Sequence, residues 1–114
     1  MKIHYLEIVT PDVDAVIATY STLHGVTFGE SDPNLGGART TQLDNGGLVG
    51  VRPPMRDDER PIVRHYTLVN DIVAAVAAAE KAGVTIAVPP MEIKGHGQCA
   101  IFIQNGIESG LWQV

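Results

Sequence analysis

Apolar and polar residues alternate from Ile3 to Val9, with His4, Leu6 and Ile8 on one face and Tyr5, Glu7 and Val9 on the other, which predicts a strand. The period then changes. Val13, Val16, Ile17, Tyr20 and Leu23 follow helical spacing and make one apolar stripe. Thr10 reads as the N-cap of that helix and Pro11 as its first residue, where a missing N–H costs nothing. Asp12 and Asp14 complement the positive end of the helix dipole, and Gly25 offers a left-handed stop. Val26 to Gly29 is expected to be a short second strand, and the polar, glycine-rich stretch Glu30 to Gly37 a loop. Arg39 to Leu43 and Leu48 to Arg52 flank Asn45-Gly46, a strong hairpin signal because both turn residues tolerate positive φ.

The same plan then recurs. Ile62 to Val69 is a strand, and Asn70 or Asp71 caps a helix carrying Ile72, Ala75, Val76 and Ala79, which Gly83 ends. Val84 to Val88 is a strand, and Pro89-Pro90 forces an extended or turning exit. Gln98 to Ile103 and Ile107 to Gln113 form a hairpin around Asn105-Gly106. Matching residues in the two copies, such as Gly25 with Gly83 and Gly50 with Gly110, are offset by 58 to 60 positions. Two copies make a duplicated module, not a solenoid. Module one is 1–52 and module two 62–114. The stretch 53–61 between them, proline-bounded, charged and without apolar period, reads as a linker.

Composition narrows the function classes. Half a chain of this length buries too little surface to be stable alone, so the modules are expected to form a single domain over residues 1–114. The net charge of −5 and the lack of a dense Lys/Arg cluster argue against nucleic acid. The longest purely apolar run, Ile72 to Ala79, is too short to span a bilayer, and the N-terminus has no signal-peptide core. A lone cysteine, Cys99, excludes an intrachain disulfide and suits the cytoplasm; its alternation with Ile101 and Ile103 marks it as a core residue.

The duplicated plan and several local sequences resemble the vicinal oxygen chelate superfamily, which includes glyoxalase I, bleomycin-resistance proteins and extradiol dioxygenases. The markers are Thr10-Pro11-Asp12-Val13, Val69-Asn70-Asp71-Ile72, Glu80-Lys81-Ala82-Gly83-Val84, Gly95-His96-Gly97 and Gly110-Leu111-Trp112-Gln113. The resemblance implies an α+β fold in which two tandem β-α-β-β-β modules form a curled mixed sheet around a cavity, with helices outside; homodimers are common. Metal-binding relatives hold a divalent ion with four side chains, usually histidine and glutamate, from the first and last strands of each module. By register those positions are Tyr5, Gly50, Arg64 and Gly110, so the resemblance comes without its metal set and no cofactor is expected. His4 and His65 lie one residue beside the ligand column. Shifting the register to use them would turn Glu7 and Arg64 against a helix, at a high desolvation cost.

On this register one face carries Tyr5, Glu7, Arg64, Tyr66, Glu108 and Trp112, with Arg52 at its rim. Such a set suits a pocket for a small organic ligand that is anionic or aromatic, with Arg64 clamping a carboxylate and Glu7 or Glu108 as a base. Glu7 and Arg64 read equally well as a structural ion pair. His96, between two glycines, is the histidine placed to meet a ligand or solvent. Metal-independent binding by a cytoplasmic homodimer is therefore the expected function. A metal-dependent lyase, isomerase or dioxygenase, or a non-catalytic partner subunit, are the alternatives.

Overall fold

The computed structural model describes residues 1–114 and is α+β, with seven strands and two helices. It divides into two units, Tyr5–Val63 and Arg64–Val114, the latter together with Met1–His4.

In the first unit, β1 (Ile3–Val9) leads to α1 (Val13–His24), a 3-10 turn at Pro33–Leu35, then β2 (Arg39–Gln42) and β3 (Leu48–Arg52). The strand order is β2-β3-β1, with β3 antiparallel to β2 and parallel to β1. Asp12, not Thr10, is the N-cap: its carboxylate accepts from Ala15 N, while Thr10 Oγ1 accepts from Asp12 N and shapes the approach. Gly25 closes the helix at φ 62°. Ile8, Ile17, Phe28, Val49 and Val51 form the core, with Leu6, Val13, Val16 and Tyr20 against it. The odd residues of β1 consequently face away from α1, as the alternation predicts. Leu23 leaves the expected stripe and is 68% exposed.

The strand expected at Val26–Gly29 does not form. This segment makes one backbone bond to β2, Gly29 N to Thr40 O at 2.8 Å, and the Arg39 side chain takes the carbonyls of Phe28 and Gly29. One bond is too few for a ladder, so module one has three strands. The two Asn-Gly turns also differ. Asn105 and Gly106 both have positive φ (51° and 81°), and Gln104 pairs with Ile107 across a two-residue loop. At Asn45-Gly46 only the glycine is left-handed; Asn45 Oδ1 instead accepts from Gly47 N in a wider loop.

In the second unit, β4 (Ile62–Leu68) is followed by α2 (Ile72–Lys81), β5 (Thr85–Ile93), β6 (Gly97–Gln104) and β7 (Ile107–Gln113), with strand order β4-β7-β6-β5. Asp71 caps α2 through Ala74 N, and Gln113 Oε1 accepts from Ile72 N at 2.8 Å. Ile72, Val76, Ala100 and Leu111 form this core. Ile72 is fully buried, so truncation to alanine would cost about 2–5 kcal/mol. β5 continues through Pro89-Pro90, the extended one of the two exits expected there, and so runs past the Val88 boundary. It lies at the edge of this sheet, where a missing N–H is tolerated, and its register shifts there.

Candidate ligand-binding site

Each unit presents, on the sheet face opposite its helix, a tyrosine over a glycine and an arginine beside a carboxylate. In the first unit, Tyr5 and Glu7 project from β1, and Gly50 and Arg52 from β3; Glu7 is directly opposite Gly50. The Tyr5 phenol lies in the space that a Cβ at Gly50 would occupy. Burial, and then the Glu7 carboxylate, push the phenol's pKa above its ordinary value, so it stays neutral.

Arg52 is the centre of this cluster. Its Nε donates to Glu7 Oε2 at 2.7 Å, its NH1 to the Pro53 carbonyl at 3.0 Å, and NH1 and NH2 to the two oxygens of Glu59 at 2.8 and 2.9 Å. Burial opposes the guanidinium charge, but the bonds to Glu59 and Glu7 more than offset it and raise the pKa. The same contact with Arg52 lowers the Glu59 carboxyl to about 2, helped by a 2.7 Å bond from Met55 N. Arg52 was expected at a rim and is instead 3% exposed. Glu59 was missed within a linker that otherwise presents its charges to solvent, because no local periodicity marks a carboxylate that closes on a strand seven residues earlier.

In the second unit, Tyr66 is opposite Gly110, and its ring occupies the space of a side chain there. Trp112 meets Tyr66 edge-to-face at 5.4 Å, the two rings at 88°. Trp112 Nε1 donates to the His96 carbonyl at 2.8 Å, so the expected loop histidine serves the site through its backbone. His4 lies 5.7 Å from the Trp112 ring; burial, then Lys2 and His96, lower its pKa. Arg64, 6% exposed, donates through NH2 to Glu108 Oε1 at 3.3 Å, and the Glu108 side chain is 35% exposed. Thus Tyr5 and Glu7 gather around Arg52, and Arg64, Tyr66, Glu108 and Trp112 gather in the second unit. Cys99 is buried, as its alternation predicts.

These residues do not fit a divalent ion at the four positions the resemblance assigns. Gly50 and Gly110 offer no donor, and the space beside each is filled by a tyrosine ring. Tyr5 resists the deprotonation that ligation needs, and the Arg64 guanidinium has no lone pair to give. No group of three or more His, Cys, Asp or Glu side chains is placed to hold a metal.

Comparison with solved structures places the fold. A hypothetical protein from Bacillus halodurans C-125 superposes with a TM-score of 0.76 at 14% identity, covering 99% of this chain and 94% of its own. Methylmalonyl-CoA epimerase from Mycobacterium tuberculosis gives a TM-score of 0.73 at 15% identity over 98% of this chain and 87% of that one. A methylmalonyl-CoA epimerase in complex with methylmalonyl-CoA and NH4+ gives 0.68 at 16% identity, over 98% and 93% of the two chains. The fold is therefore shared with methylmalonyl-CoA epimerases. No protein-family model matches the chain, and no curated protein matches it in sequence.

Proposed function

We propose that this protein binds a small organic molecule bearing a carboxylate, an aromatic ring or both, without a metal ion, through residues on the sheet face opposite the helix of each unit: Tyr5 and Glu7 in the first, and Arg64, Tyr66, Glu108 and Trp112 in the second. The observation that carries the reading is the filling of the glycine positions by Tyr5 and Tyr66, which replaces donors for an ion with aromatic surface and leaves buried arginines beside it. Arg64 supplies a fork for a carboxylate, and the Tyr66–Trp112 pair an apolar wall. Glu108, the more exposed partner of Arg64, is the carboxylate a ligand anion would displace.

The same reading takes the protein as a cytoplasmic homodimer. No helix of the structure is long and apolar enough to cross a membrane. An enzymatic alternative draws support from the methylmalonyl-CoA-bound neighbour, whose ligand carries a carboxylate, but a shared fold does not carry a reaction with it.

Calorimetry with a panel of aliphatic and aromatic acids, in the presence and absence of EDTA, tests the proposal. The expected result is saturable binding of at least one acid, unchanged by EDTA and lost in Arg64→Ala. Binding that requires an added divalent ion would overturn it.

A further inference from the structure

The geometry points to Arg52 as a binding site for a ligand carboxylate, held shut by Glu59 of the chain itself. This deepens the proposed function and rests on it. The guanidinium has two anchors that do not involve Glu59: the Glu7 carboxylate on Nε and the Pro53 carbonyl on NH1. Its remaining edge, NH1 with NH2, takes both Glu59 oxygens in parallel, the arrangement by which arginine recognises any carboxylate. The first unit thus holds the arginine in place, and Glu59 fills the edge that a second carboxylate would use.

Glu59 belongs to no strand or helix. Of the charged residues in 53–61, Arg56, Asp57, Asp58 and Arg60 are exposed, and only Glu59 turns inward. The Glu59 side chain is 8% exposed, and a bond from its backbone N to Arg56 O at 3.1 Å closes a turn behind it. Met55 of this segment and the Arg52 stem both pack against Gly36, where an added Cβ would meet Met55 Cε and Arg52 Cδ. Glu59 brings one negative charge to the guanidinium. Exchanging Glu59 for a ligand monocarboxylate keeps that charge and both hydrogen bonds to Arg52, while the bond from Met55 N to Glu59 is given up and both groups regain water. Such an exchange nearly balances in hydrogen bonds, which makes the segment a displaceable strap rather than a fixed wall.

Propionate and benzoate are the probes, at constant ionic strength, against wild type, Glu59→Ala, Glu59→Gln and Glu59→Ala combined with Arg52→Lys. Glu59→Ala is expected to bind propionate at least about tenfold more tightly than wild type. Its lowered melting temperature should climb with propionate and not with chloride or propanol. Arg52→Lys should abolish both effects, because lysine has no fork to offer. If Glu59→Ala does not fold, Glu59→Gln carries the test, with a smaller gain expected. Unchanged propionate affinity in every folded Glu59 variant would overturn the site. If acids still bound in an Arg64-dependent manner, that result would leave the proposed function standing; no acid binding to any variant would remove both.

Discussion

Tyr5 and Gly50 interlock: the phenol of one strand occupies the space where the next strand would carry a side chain, and Tyr66 and Gly110 repeat the relationship. Both glycines are therefore required for close approach. Gly50→Ala and Gly110→Ala should each destabilise by about 1–3 kcal/mol through overpacking. Thermal melts check this. Tyr5→Phe should recover part of the loss at Gly50, because the hydroxyl is the nearest atom there, whereas Gly110→Ala needs Tyr66 truncated.

The same interlock bears on metal content. Protein purified gently should carry no stoichiometric transition metal, and titration with zinc, nickel or iron(II) should show no tight site. Elemental analysis decides it, and one tightly held ion per chain would overturn the metal-free reading.

Acid should release the strap. The Glu59 carboxyl is lowered from 4.5 to about 2, so its contribution is fully present above pH 4.5 and is lost as pH falls through about 2. Measured by denaturant titration, the wild-type advantage over Glu59→Gln should shrink steadily across this window. An advantage independent of pH would contradict it.

His4 acts in the neighbouring range. Its pKa is lowered, chiefly by burial, so the unfolded chain binds its proton first as pH falls below 6.5. Stability should therefore drop in that range, and His4→Gln should flatten the drop.

Sedimentation at micromolar concentration should give about twice the chain mass. β5 is a poor template for that association, because Pro89 and Pro90 lie within it and remove edge donors. Substitutions along its outer edge should leave the dimer intact, and a clean monomer would reject the expectation.

Much of this was legible where the signal is local. Alternation in β1 assigned Leu6 and Ile8 to the helix side, and Asp71, one of the two caps expected there, opens the second helix. The N-cap lies two residues beyond Thr10 because Thr10 and Asp12 both carry a side-chain oxygen able to accept from a backbone N–H, and only the backbone path decides which one meets the free groups of the helix. Val26–Gly29 has a strand's composition, but a strand needs a ladder, and its neighbour offers a single bond. The Arg52–Glu59 pair was illegible for another reason. Charge among other charges carries no period, and only the closed loop shows that one acid faces inward.

The tyrosine–glycine pairs also restrict which sequences lie one step away. Placing a donor such as glutamate at position 50 or 110 collides with the aromatic ring unless that ring has already gone. Removing the ring first leaves a void over a bare glycine. Either order passes through a weakened intermediate, and each half of the chain sets the same obstacle separately. The present chemistry is thereby protected against single substitutions, and a path to ion binding would run through paired replacements.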